Sequence, residues 1–566
     1  AQFDAQAGQW VFNVQTQGAH MIHRVLCEDI LHMPPEKLRV ITKDVGGSFG
    51  MKIFPYPEYA LVLYAARKLG QAVRWTATRM ESFLSDCHGR ARVDYARIGF
   101  NKDGRITAYQ CDSITDLGAY LSYVGPSIAS QYAYTVVGHT YKIPHLHFRN
   151  RGAFTNATPT DAYRGAGKPE TVCTLEQLLD KAAFELKIGR LELRRRNFVQ
   201  TEDLPYDMLN GQTIDSGNFE ALLDRAVELS EWNSFPDRRK NATQAGYLRG
   251  IGLGMYMHST GGSISEACRV KLVADGMIHV FTGTQSGGQG HATTLAGLVA
   301  DVMEIDPSKV KVIQGDTGQY EIGSGTGGSS LTAIAGTTVV RAARLMLDNT
   351  RNTVSKLLEV NAGDLAYSEG GFYIPGTDRR LSLQDLAAMI ESNPDDQAAC
   401  VGDAEFEGKN TTHPCGAYVV ELECDPETGV IQIIQLVGVD DIGRVLFPHQ
   451  ADGQLQGSWA QAVGTSLMES IQFDEDQTGQ ILSGSLMDYQ IPRAQDLPNI
   501  TLDKVPTLCT TNSLGVKGVG EVANLGAPGA IGNALSDLLS DGSEFIVIRP
   551  PATPHTIWSL LQNLNR

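Results

Sequence analysis

Alternating apolar and polar positions recur at three places along the chain, each time on both sides of a turn-forming cluster. Residues 93–100 and 106–113 flank Asn101-Lys102-Asp103-Gly104. Residues 269–274 and 277–283 flank Asp275-Gly276, and residues 418–424 and 430–437 flank Asp425-Pro426-Glu427-Thr428-Gly429. Period-two runs around such clusters predict β-hairpins. Between them the period changes to that of a helix. In 174–186, Leu175, Leu178, Leu179, Ala182, Ala183 and Leu186 share one face, which predicts a helix with a Thr174/Gln177 capping box and a stop at Gly189. Residues 219–229 and 333–347 also read as helices. Hairpins mixed with helices predict an α/β (mixed α+β) class. The polar stretch 231–245, with Pro236 and Arg238-Arg239-Lys240, predicts a linker between a first domain over 1–230 and a second over 246–566.

A chain of 566 residues can bury a large core without disulfides. Apolar residues make up 42% and charged residues 20%, which excludes wholesale disorder. The net charge of −17 argues against duplex nucleic acid or an anionic membrane as the main partner. Nine dispersed cysteines with no Cys-x-x-Cys pair imply reduced thiols and a cytoplasmic setting. They also form no iron–sulfur or zinc-ribbon motif. No apolar run approaches about 18 residues, so no membrane span is expected. The chain opens Ala1-Gln2-Phe3, without Met or a basic-then-apolar leader. It is therefore expected to be processed, trimmed or one piece of a larger unit.

Glycine is what carries the chemistry. It accounts for 59 residues, about 10% against a usual 7%, and much of it sits in five clusters: Gly46-Gly47-Ser48-Phe49-Gly50, Arg164-Gly165-Ala166-Gly167, Gly287-Gly288-Gln289-Gly290-His291, 323–330 and 515–520. Glycine lets backbone N–H groups converge on an anion, so five clusters imply a large polyanionic ligand gripped from many sides, or else a fold rich in tight turns. A Walker A loop fails because Gly167-Lys168 runs into Pro169. Residues 323–328 match the spacing of a dinucleotide fingerprint, but a polar loop precedes them instead of a buried strand. Glu521 closes the last cluster, ahead of apolar Val522 and Ala523. A carboxylate so placed is a candidate general base with a raised pKa. His20, His23, His145 and His147 lack a nearby third ligand and read as structural.

Taken in order, Thr16-Gln17-Gly18, 46–52, Ala162-Tyr163-Arg164-Gly165-Ala166-Gly167-Lys168-Pro169-Glu170, 288–293, 325–330, 421–441, 515–521 and 526–534 resemble the molybdenum-binding large subunit of the xanthine oxidase family, the molybdenum hydroxylases. The likeness spans nearly the whole chain and leans toward the carbon-monoxide-dehydrogenase-like bacterial branch. It implies two molybdopterin-binding domains with the cofactor at their interface. The cofactor is expected as molybdenum on molybdopterin, in bacteria usually the cytosine dinucleotide. Dithiolene sulfurs hold the metal, so no side chain of the protein is expected as its ligand. The resemblance further implies that Gln17 hydrogen-bonds a metal ligand. Gly47, Phe49, Gly50, Arg164 and Gly328 would approach the centre, and Gln289, Gly290, Ser329, Lys517, Gly518 and Val519 would hold the pterin and its phosphates. Glu521 would be the base of a hydroxylation in which water supplies the oxygen inserted at an electron-poor carbon.

The departures from the family pattern concern specificity and subunits. Where xanthine oxidases place a Glu and an Arg against the purine, the matching positions are Ile53 and Tyr132, and Ala166 replaces a stacking Phe. Gly165 stands where carbon monoxide dehydrogenases carry a metal-bridging Cys. Neither purines nor carbon monoxide are therefore expected, which leaves an aldehyde or an aromatic N-heterocycle. The family's large subunits usually carry a further N-terminal domain, expected here on another chain or absent. Electrons are expected to leave through partner subunits carrying iron–sulfur clusters and FAD. A non-catalytic family member, or a nicotinamide dehydrogenase using 323–328, are the competing readings.

Overall fold

The structure is a computed structural model that describes the chain except residues 262–263, 392, 409–410, 475–477, 541 and 565–566. All three hairpins are present. Arg92–Phe100 pairs antiparallel with Ile106–Asp116, Ser265–Leu272 with Ile278–Thr282, and Cys415–Cys424 with Ile431–Asp441. The helix expected over 174–186 begins six residues earlier, as Lys168–Leu186. Gly167, at φ +77°, turns the chain into it, and Pro169 is tolerated because a first-turn N–H needs no helical partner. The Thr174 capping box therefore does not form, and the Thr174 hydroxyl donates to Asp94 Oδ2 at 2.7 Å. The helix stops at Lys187 in the left-handed region, not at Gly189. Phe219–Leu229 is helical as expected. The segment 333–347 becomes a π turn, Thr332–Gly336, leading into Thr337–Leu358.

The stretch read as a linker is ordered secondary structure. Trp232–Ser234 and Phe235–Gln244 are helical, with Phe235 and Ala242 buried. Arg238 reaches Glu421 at 2.7 Å, and Glu421 is 1% exposed. The polar composition hid a helix whose charges answer a buried carboxylate on another element. The halves on either side share one core, in which Leu179, Leu193 and Phe219 pack with Leu253, Val419 and Val437.

The central sheet has the order Ile500–Lys504, Ile431–Asp441, Cys415–Cys424, Leu248–Met257. Across its last strand lies the helix Ala523–Leu539. Gly250, Gly252 and Gly254 all face that helix, since a Cβ on Gly252 would sit 2.0 Å from the Ala530 carbonyl and 2.2 Å from the Ala534 nitrogen. Successive residues alternate faces along a strand, so i, i+2, i+4 glycines open one groove for one helix. From the helix side, Gly526 fits beneath the rings of Tyr256 and Tyr418. Its other flank meets Lys168–Leu186, with Gly529 against Glu176 and Gly532 against Gln177. A helix buried on two sides needs small residues on both. A second four-stranded sheet, Val310–Ile313, Ile278–Thr282, Ser265–Leu272, Val401–Glu407, packs against His291–Met303 and Thr337–Leu358.

Candidate active site

The glycine clusters, more than 450 residues apart from first to last, converge on one cavity of about 1310 Å³. Four helical segments start on its wall, Lys168–Leu186, His291–Met303, Thr332–Gly336 leading into Thr337–Leu358, and Pro448–Leu467, while Ala523–Leu539 begins two residues beyond Glu521. None has a side-chain N-cap. Away from the cavity, Phe219–Leu229, Leu383–Ile390 and Pro554–Asn563 are capped by Asn218, Ser382 and Thr553, whereas Pro57–Leu69, Arg190–Asn197 and Phe235–Gln244 have no side-chain cap. Uncapped first-turn N–H groups are donors for an anion. Phe49, Ala166 and Ser329 line the same cavity with φ of +54°, +53° and +54°. A left-handed backbone costs a non-glycine residue roughly 1–2 kcal/mol, so the loops are held there by their surroundings.

Glu521 sits at the centre of this wall. Its Oε1 accepts from the Gly165 N–H at 2.8 Å, and its Oε2 accepts from the Ser329 hydroxyl at 2.7 Å and from His258 Nε2 at 3.0 Å. Because an ionised carboxylate only accepts, the proton of the neutral His258 ring lies on Nε2. The buried Nδ1 has no hydrogen-bond partner among the described residues. Burial lowers the His258 pKa, helped by Lys168. The raised pKa expected for Glu521 is not found. Burial pushes it upward, but His258, Lys168 and Ser329 outweigh that and hold it well below the carboxylate range. Glu521 therefore sits in the site as an ionised carboxylate that accepts from all three neighbours.

The remaining predicted residues fall into two groups. Gln17, Gly47, Phe49, Gly50, Ile53, Tyr132, Arg164, Ala166, Gln289, Gly328, Ser329, Lys517 and Val519 line the cavity, whereas Gly290 and Gly518 stand behind it. Gly290, at φ +81°, begins the helix His291–Met303. A Cβ on Gly518 would meet the Ser329 carbonyl at 2.4 Å, so that glycine lets two loops touch. Gln17 ties the loops together, with Nε2 donating to the Thr326 carbonyl at 2.9 Å and Oε1 accepting from the Gly50 N–H at 2.8 Å. Arg164 donates to the carbonyls of Gly520 and Gln454 at 2.6 and 3.0 Å and to Gln461 Oε1 at 3.1 Å. The Lys517 ammonium is spent on Asp441 Oδ2 at 2.8 Å in a fully buried pair, so its backbone alone faces a ligand.

Three participants escaped sequence reasoning. His258 lies at the end of a strand with no motif around it. Lys168 belongs to a motif that was noticed, but nothing local marks its ammonium as buried in the cavity. His291 is fully buried, and burial, partly offset by a hydrogen bond with the Gln314 side chain, pushes its pKa down to about 4. Residues 323–328 are loop, with no strand immediately before them, so the dinucleotide strand–turn–helix is absent there.

Known proteins share this arrangement. Two families, both described as a molybdopterin cofactor-binding domain, match residues 1–198 and 225–498. The 6-hydroxypseudooxynicotine dehydrogenase complex subunit gamma of Paenarthrobacter nicotinovorans is 32% identical, over 97% of this chain and 70% of its own length. The chain belongs to the xanthine oxidase family of molybdenum hydroxylases. The nicotine 6-hydroxylase large subunit of the same organism is 30% identical over 96% of this chain and 68% of its own. The crystal structure of quinoline 2-oxidoreductase from Pseudomonas putida 86 superposes with a TM-score of 0.92 at 28% identity, covering 99% of this chain and 73% of that one. Like those relatives, this molybdenum hydroxylase chain is an oxidoreductase subunit. No helix among the described residues is long and apolar enough to cross a membrane.

The cavity fits a phosphate-bearing pterin. Four uncapped helix starts offer N–H donors, and Gly288 and Gly328 leave open space where a Cβ would stand. Arg164, Lys168 and Arg444 add positive charge to a wall whose acidic group is Glu521.

Proposed function

We propose that the chain is the catalytic molybdenum subunit of a multi-subunit hydroxylase that inserts water-derived oxygen at an electron-poor carbon of an aromatic N-heterocycle, or alternatively of an aldehyde. The two halves, 1–230 and 246–566, close on the cavity between them. When bound, the molybdenum–pterin group supplies the two-electron acceptor and the site where water's oxygen is activated. Everything else falls to the chain. Glu521 accepts the proton at Oε1, the oxygen with one donor, because Oε2 is already engaged by Ser329 and His258. Gln17 braces the loops at the metal end, alongside the backbones of Phe49, Arg164 and Gly328. Gln289, Ser329 and the 517–519 backbone hold the pterin and its phosphates, on loops shaped by Gly290 and Gly518. Ile53, Tyr132 and Ala166 border the substrate.

A second cavity of about 450 Å³ meets the first at Gly288. That volume supports a dinucleotide form of the cofactor, with cytosine as the base. Electrons leave to an iron–sulfur subunit and an FAD subunit in the cytoplasm. The preference for an N-heterocycle follows the names of the nicotine and quinoline relatives.

The observation that carries the reading is the ionised Glu521 at the point where the glycine loops meet. Glu521→Gln should keep molybdenum and acid-released cytosine nucleotide while turnover falls about a hundredfold to ten-thousandfold, the usual worth of a general base. A variant with full turnover would remove Glu521 from the chemistry.

A further inference from the structure

Four cationic residues are buried among the described residues: Arg164, Lys168, Arg194 and Lys517. Three are held by oxygen. Arg194 meets Glu176 and Asp180, Lys517 meets Asp441, and Arg164 meets two carbonyls and Gln461. Lys168 is 3% exposed, and its ammonium has no hydrogen-bond or ion-pair partner among the described residues. Its nearest favourable contact is the face of Tyr132, 5.3 Å from the ring centroid. Its position also works against it. Lys168 is the first residue of an uncapped 19-residue helix, the end at which the helix dipole is positive. An unpaired buried ammonium at a positive helix end is costly, and only the Tyr132 ring face and the charge of Glu521 offset that cost.

Lys168 lines the cavity together with Tyr132 and Glu521. No ion pair joins it to Glu521, whose own partners are Gly165, Ser329 and His258. A cation and an anion thus border one cavity, each available to a ligand. We propose that Lys168 is the substrate-recognising residue of this site, donating to an electron-rich acceptor atom, a ring nitrogen or carbonyl oxygen, next to the carbon that reacts. The inference rests on the hydroxylase reading and names its substrate polarity. Attack by oxygen on an electron-poor carbon moves electron density onto the neighbouring heteroatom, and an ammonium in a dry site stabilises that charge as it develops. Glu521 takes the proton on the attacking side, so the substrate lies with its heteroatom toward Lys168 and its reacting carbon toward Glu521.

The test is calorimetric binding to the molybdenum-loaded complex, with benzoate as an aromatic ring bearing an anionic acceptor and benzyl alcohol as the uncharged control. The natural chain should bind benzoate about tenfold or more tightly than benzyl alcohol, the worth of one charge-assisted hydrogen bond. Lys168→Met should lose that preference, and Lys168→Arg should keep most of it. Benzoate bound no better than benzyl alcohol by the natural chain, or bound equally by Lys168→Met, overturns the proposal. If Lys168→Met loses molybdenum, Lys168→Gln replaces it, and the natural-chain comparison decides by itself. Should Lys168 only tune Glu521, its removal would shift the pH profile and leave benzoate binding unchanged, which also overturns the proposal. Binding is read without turnover, so failure of the base assignment in Glu521→Gln is a separate result.

Discussion

Glu521 stands out in the sequence because it closes a glycine loop, but its ionisation is decided by residues far from it in the chain. Gly165, His258 and Ser329 lie 192 to 356 positions away. The local reading of a carboxylate beside apolar residues sees the burial and misses the donors, so it predicts the wrong direction of shift. The sign has a consequence for activity. A carboxylate with a depressed pKa is ionised above that pKa and loses function only as pH falls through it. His258→Phe removes one donor, leaving Lys168, Ser329 and the Gly165 N–H, so the Glu521 pKa should rise. The acid limb of kcat against pH should then move up by about one unit or more, while His258→Gln, which keeps an N–H, should hold it near the natural position. Superimposable profiles for all three proteins would show that His258 does not act on Glu521.

The hairpins were legible because alternation and turn residues are local signals. The helix Lys168–Leu186 was legible in its body but not at its start, since its first turn is polar and glycine-led and faces the cavity. The 231–245 helix was missed because its basic face answers Glu421, which no local pattern reveals. The glycines of Leu248–Met257 illustrate the same limit. In sequence, Gly250-Ile251-Gly252-Leu253-Gly254 looks like a weak strand, and only packing shows that the glycines admit the helix Ala523–Leu539. Gly252→Ala should cost at least about 3 kcal/mol, because the new methyl meets helix backbone with nowhere to move. The same helix begins two residues after Glu521, so molybdenum content should fall along with the thermal midpoint. A variant that melts and loads like the natural chain would show that this contact is looser than drawn.

A net charge of −17 surrounds a cavity whose wall carries Arg164, Lys168 and Arg444. The site is thus locally of the opposite sign to the chain as a whole, built from helix starts and buried cations. A ligand that neutralises these groups binds only the folded chain and stabilises it by mass action. Cofactor-free protein should therefore melt several degrees lower than the loaded form. Its loops at 46–52, 287–290 and 323–330 should be cut first in limited proteolysis. Equal melting and equal cleavage patterns would mean that these loops do not grip the cofactor.

The sequence alone carried the fold class, the hairpins, the family and the glycine loops that line the cavity, because alternation, glycine clustering and motif order are written along the chain. It could not carry the ionisation of Glu521, the charge of Lys168 facing the cavity or the helix in place of a linker. Each of these depends on which groups meet across hundreds of residues, and electrostatics and burial act through space, where only the packed structure sets the distances.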